Sequence, residues 1–149
     1  MTICPDLDTV CYTLAGLANP DTGWGRREES WHALDEIRVL GGPDWFQLGD
    51  RDLATHLERT RRLSAGEHLS QVTADFCRRR GVSSRVFPMS DEPVRTRVET
   101  LEMGELSFQE YFVRHACQPG VRGFQFVGAA SARPAPGVLQ ALHDAGAVV

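Results

Sequence analysis

Leu69 to Met89 reads L-S-Q-V-T-A-D-F-C-R-R-R-G-V-S-S-R-V-F-P-M, and the spacing of its apolar residues changes part-way along. Up to Arg80 the period is near four, which predicts a helix. Arg78-Arg79-Arg80 supply cations where the helix dipole is negative, and Gly81 suits the left-handed position that ends it. From Ser84 to Met89 the period falls to two, the mark of a strand. The switch divides a single domain of 149 residues into a helical part, about 6–81, and a strand-rich part, about 84–149.

On the N-terminal side, Leu7, Val10, Cys11, Leu14, Ala15 and Ala18 repeat at helical spacing until Asn19-Pro20-Asp21, with Asp6 and Asp8 in the first turn. A loop, Asp21 to Arg27, leads to a second predicted helix, Glu28 to Leu40, with Trp31, Leu34 and Ile37 on one face and Gly41-Gly42 at its end. Asp50 is expected to cap a third, which carries Leu53 and Leu57 and stops at Ser64-Ala65-Gly66. On the C-terminal side, Val94 to Thr100 and Glu105 to Val113 read as strands joined by a hairpin across Leu101 to Gly104. Gly123 to Val127 adds another strand, and a short helix runs through Leu139 and Leu142. Ala147-Val148-Val149 resembles the first half of a buried parallel strand. The expected class is α/β. A polar acidic turn stands where such a domain ordinarily has a leading strand and glycine-rich loop, so truncation at both ends is expected.

All sixteen basic residues are Arg, which excludes a Schiff-base or P-loop lysine within the chain. The net charge of -4 provides no broad field for a phosphate backbone, so no nucleic-acid partner is expected. No apolar run approaches a membrane span and M-T-I-C-P-D has no export character, which predicts a cytoplasmic protein without membrane contact. Cys4, Cys11, Cys77 and Cys117 form no C-x-x-C pair and are read as buried thiols.

Asp6 and Asp8 could hold a divalent cation, since hard cations take oxygen ligands, or could simply complement a helix dipole. Gly49-Asp50-Arg51-Asp52, followed by Thr55 and His56, sets an Arg between two carboxylates beside a helix start, which suits a phosphate or polar-ring ligand as well as a plain cap and ion pair. Pro88-Met89-Ser90-Asp91-Glu92 follows a predicted strand, where ligand loops sit in α/β folds. Within Phe108-Gln109-Glu110-Tyr111, read as strand, neighbouring polar residues point to opposite sides. His32, His68, His115 and His143 show no metal-ligand spacing.

Taken together, C-P-D-L-D-T-V-C-Y-T-L-A-G-L (Cys4 to Leu17), G-W-G-R-R-E-E-S-W (Gly23 to Trp31), D-W-F-Q-L-G-D-R-D-L-A-T-H (Asp44 to His56), L-S-Q-V-T (Leu69 to Thr73), P-M-S-D-E (Pro88 to Glu92) and F-Q-E-Y-F-V-R (Phe108 to Arg114) resemble the 2-phospho-L-lactate transferase family. The resemblance covers essentially the whole chain. It implies a Rossmann-like parallel sheet core, with the helical segment and the antiparallel hairpin attached. It also implies transfer of a phosphorylated three-carbon acid, phosphoenolpyruvate or 2-phospholactate, from a guanosine-diphosphate-linked donor to the deazaflavin precursor Fo. Magnesium would be the cofactor, GMP the released product and coenzyme F-420 biosynthesis the setting. By resemblance Asp8 binds metal and Fo and Arg51 binds Fo. Asp6 joins Asp8 as a catalytic candidate, and Asp50, Asp52, Met89 and Ser90 are substrate-binding candidates. The family's glycine-rich loop and its guanosine side have no counterpart in these residues, so the 149 residues alone are expected to lack full activity. The partners implied are the two small molecules, with room for a homodimer. The alternative is a non-catalytic, nucleotide-sugar-binding regulator of the same superfamily, the gluconeogenesis-factor group.

Overall fold

In the computed structural model, which describes residues 1–23 and 25–146, Pro5 opens the first helix, α1 (Pro5–Leu14), at a position whose amide would be unpaired in any case. α1 turns Asp8, Cys11 and Tyr12 inward, the i, i+3, i+4 stripe of a one-sided helix. It packs on α4 (Leu69–Arg79), as does α3 (Asp50–Ser64), and α2 (His32–Val39) lies on α3. The end of α4 follows the expectation: Arg80 is its C-cap and Gly81 has φ +76°.

Two differences from the sequence expectation share one cause. α2 begins at His32 and not at Glu28, because Glu28 has φ +57° and Glu29 is drawn away to the start of α3, where its carboxylate accepts from the Arg51 amide at 2.8 Å and the Asp52 amide at 2.9 Å. Asp50 does not cap its own helix. Its carboxylate accepts from the His32 and Ala33 amides, at 3.1 and 3.0 Å, and from the Ser30 hydroxyl at 2.6 Å, so α3 caps α2 while Glu29, in the segment before α2, caps α3. Gly49 makes room for this exchange. A methyl group there would meet Glu29 Cγ and Cδ at 2.4 Å and Cβ at 2.6 Å, so Gly49→Ala should destabilise the chain by about 1–3 kcal/mol in a urea titration. An unchanged midpoint would mean that Glu29 does not hold this position.

Three strands form one antiparallel sheet in the order β2-β1-β3: β1 (Arg95–Thr100) is central, with β2 (Gly104–Ser107) and β3 (Val121–Val127) on either side and fully buried Val98 at its middle. The expected hairpin across Leu101 to Gly104 is present. Strand pairing among the described residues is antiparallel throughout, and Ala147 to Val149, read above as the start of a parallel strand, lie outside them. Glu105 to Val113 is not one strand. Ser107 and Glu110 form a reciprocal cap, Ser107 donating its amide to Glu110 Oε2 at 3.0 Å and receiving the Glu110 amide at 3.3 Å. The chain therefore turns into a helical segment, π-type over Glu110–Arg114. Ser84 to Met89 is not a strand either. Pro88 supplies no amide for a ladder, and Asp91 beyond it is engaged with the start of α4, accepting from the Ser70 amide at 2.7 Å and hydroxyl at 2.9 Å. A last helix, α5 (Val138–Asp144), carries Leu139 and Leu142 as expected.

The buried stripe of α3 is not Leu53 and Leu57 but Thr55, His56 and Arg59, with Leu57 56% exposed. The accessible surface, 9825 Å², exceeds the roughly 7,500 Å² of a compact chain of this mass, and Val39, Leu40, Phe126 and Leu139 are among the exposed apolar residues. On the far side of α1 a cavity of about 1590 Å³ opens between Leu7, Val10, Leu34, Leu53 and the segment Arg85 to Arg97.

The outer face of α4 is tied by charge. Arg79 and Arg62, at 2.8 and 2.7 Å, together with Arg78, hold the Asp75 carboxyl down at about 2. The folded value lies below the ordinary one, so the folded state binds fewer protons. This contribution is complete above about pH 4 and is lost as the pH falls toward 2. Urea midpoints should therefore drop over that window, and Asp75→Asn should flatten the drop.

Candidate active site

α3 is polar on the face it buries, and that face meets the polar side of α1. Asp8 from α1 and Asp52 and His56 from α3 bring ligand atoms within 4.8 Å of one another, the one His/Asp/Glu/Cys group of this kind among the described residues. Arg59, one turn further along α3, forms a buried ion pair with Asp8 Oδ1 and stands 3.2 Å from His56 Nδ1. An arginine can only donate, so Nδ1 is the acceptor and the imidazole proton sits on Nε2, which faces Asp52 Oδ1 at 3.5 Å. Asp8 Oδ2 then lies 3.6 Å from a nitrogen that has no proton to give it. It is buried and has no hydrogen-bond partner.

The charges follow from that arrangement. Burial pushes the Asp8 carboxyl above its ordinary value against the pull of Arg59. Burial would also raise Asp52, but hydrogen bonds from His56 and Tyr12 outweigh it and hold the carboxyl low. Tyr12 is 1% exposed and its phenol is pushed far up by burial and by Asp52. It stays a donor, giving its proton to Asp52 Oδ1 at 2.8 Å with Thr55 Oγ1 3.0 Å away. Arg80, from the end of α4, donates to the same Thr55 oxygen at 2.8 Å. The donor set fits a divalent cation. Asp8 Oδ2 is a buried carboxylate oxygen left without a partner, and the Asp52 carboxylate stands within reach of it.

Of the candidates read from sequence, the fold brings Asp8 and Asp52 together and separates the others. Asp6 faces the opposite side of α1, where it lines the large cavity along with Met89 and Ser90. Met89 is 68% exposed, whereas Ser90 is buried and bonded to Glu92, its hydroxyl 2.6 Å from Oε2. Asp50 is committed to α2, and the exposed Arg51 guanidinium lies 3.5 Å from Glu28. Sequence reasoning did not single out Tyr12, Arg59 or Arg80. Asp52, Thr55, His56 and Arg59 do share one helix face at i, i+3, i+4, i+7, but a polar stripe ordinarily faces solvent, so the spacing alone gave no signal that Arg59 is buried.

No helix among the described residues is long and apolar enough to cross a membrane. The family model described as 2-phospho-L-lactate transferase CofD matches residues 1–149. The phosphoenolpyruvate transferase of Mycobacterium sp. (strain KMS) is 49% identical over 99% of this chain and 46% of its own length. The protein of that name from Mycolicibacterium smegmatis is 47% identical, and that from Streptomyces avermitilis 49%, each over 99% of this chain and 47% of the relative. The chain thus spans about half the length of the curated relatives it matches. With the P-D-L-D-T and G-D-R-D segments converging on one buried acidic centre and the match running from the first residue to the last, the chain belongs to the 2-phospho-L-lactate transferase CofD family.

Proposed function

We propose that these residues form the metal and acceptor side of a cytoplasmic transferase. It moves a phosphorylated three-carbon acid from a guanosine-diphosphate-linked donor to Fo, releasing GMP, in coenzyme F-420 biosynthesis. The relatives' name favours phosphoenolpyruvate over 2-phospholactate as the acid. The observation that carries the reading is Asp8 Oδ2, a buried carboxylate oxygen with no partner beside Asp52 and His56. Magnesium would take Asp8 Oδ2 and Asp52, and when bound would neutralise charge on the transferring phosphoryl group. Arg59 holds Asp8 by its other oxygen, which fixes the direction of Oδ2, and His56 and Tyr12 do the same for Asp52. Arg51, exposed at the start of α3, offers a guanidinium to the acceptor. A Rossmann-like parallel core belongs to the same proposal. The antiparallel sheet is compatible with such an α/β fold.

The test is a transfer assay on the enzyme at the relatives' length, with guanylated phosphoenolpyruvate, Fo and magnesium. GMP and the Fo adduct should appear together by mass spectrometry and vanish with EDTA. Saturable Fo binding without GMP release, or neither, would overturn the reading.

A further inference from the structure

Two arginines converge on one ring without a counter-ion. The Arg26 and Arg80 guanidinium carbons stand over Tyr12 at 5.4 and 5.3 Å from its centroid. Arg80 donates to Thr55 Oγ1 at 2.8 Å and to the Phe76 carbonyl at 3.4 Å, both neutral acceptors. Arg26 Nε is buried with no hydrogen-bond partner. Neither side chain has a carboxylate partner among the described residues, whereas Arg59, Arg62, Arg78 and Arg79 are all paired. Contact with the tyrosine ring offsets part of each cation's desolvation but does not cancel its charge. The pair stays half-buried in a chain whose net charge is -4, beside the Asp8–Asp52 centre that Tyr12 joins through its hydroxyl.

The geometry points to an anion site in which Arg26 and Arg80, braced on Tyr12, clamp a phosphate group of the donor. Planar guanidiniums match phosphate oxygens two at a time, and the unpartnered Arg26 Nε is a donor waiting for one. The site also explains how a negatively charged chain could take a polyanionic substrate: positive charge is concentrated within one tyrosine ring of the carboxylates that would hold the cation. The identity of the ligand rests on the transferase reading. The existence of the site does not.

Inorganic pyrophosphate is the probe, titrated into the 149-residue chain while the arginine Nε–Hε signals are followed by NMR. The Arg26 and Arg80 signals should shift saturably, and Arg26→Gln or Arg80→Gln should each weaken binding about tenfold or more. Arg26→Lys, which keeps the charge but not the fork, should fall between and serves if Arg26→Gln fails to fold. Unchanged affinity in these variants, or equal shifts at the surface residues Arg122 and Arg133, would overturn the site. At the relatives' length, either variant should raise KM for the guanylated donor at least tenfold and leave KM for Fo unchanged. An unchanged donor KM would overturn the assignment to the donor. Arginine-dependent pyrophosphate binding without any transfer by the unsubstituted enzyme would sink the transferase reading and leave the clamp standing.

Discussion

Arg59→Met should lower the unfolding free energy by about 3–5 kcal/mol, because it leaves a buried carboxylate without its counter-ion. Arg59 is 2% exposed. It pairs with Asp8, donates to His56 Nδ1 at 3.2 Å and to the Thr2 carbonyl at 3.4 Å, and its guanidinium carbon lies 5.9 Å from the centre of the Phe76 ring. Methionine restores only the ring contact. The loss should depend on pH with a definite sign. Burial already pushes Asp8 up, and without Arg59 it rises further, so the folded variant binds a proton more tightly than the unfolded chain does. The deficit is therefore smallest in acid, below the ordinary carboxylate value, and grows to its full size as the pH passes the raised one. Asp8→Leu combined with Arg59→Met removes both charges and should be more stable than Arg59→Met alone. Urea titrations at pH 5 and pH 7.5 read both effects, and a single-variant loss below about 1 kcal/mol would show that water reaches the pair.

That ion pair also marks the limit of what the linear pattern reveals. Helix positions were legible where periodicity and caps are local, as at the stop at Arg80-Gly81 and in the helix over Leu139 and Leu142. α1, by contrast, ends at Leu14, short of the expected close at Asn19-Pro20-Asp21, because Gly16 takes φ +66° and Ala18 bridges to Arg26. The inward face of α3 was not legible, because the rule that apolar residues face the core selects Leu53 and Leu57, whereas α1 presents a carboxylate and α3 answers with Arg59 and His56. Only tertiary pairing makes that stripe the buried one. The strand reading of Glu105 to Val113 failed for a reason visible in the sequence itself. S-F-Q-E is a serine followed three residues later by a glutamate, the pattern of a helix start, and Phe108 and Phe112 at helical spacing stack 5.6 Å apart. Asp8 and Asp52 were both legible as acidic candidates, but their convergence was not, since neither spacing nor composition says which helices face each other.

Asp8→Asn should leave the fold standing and remove the proposed transfer. The amide oxygen can still accept from Arg59, and the amide group fills the same space without a charge to bury. The substitution thus keeps the packing, while taking away the charge and the oxygen that would hold a cation. The urea midpoint should stay close to that of the unsubstituted chain, in contrast to Arg59→Met. Turnover of the enzyme at the relatives' length should fall roughly a hundredfold or more at saturating magnesium, the scale of losing one electrostatic contact to a developing phosphoryl charge. Excess magnesium should not rescue it, because the ligand itself is gone. Retained turnover would reduce Asp8 to a packing residue between α1 and α3. Loss of the fold would show that Arg59 requires a full negative charge beside it, and would leave Asp52→Asn as the variant that separates chemistry from stability.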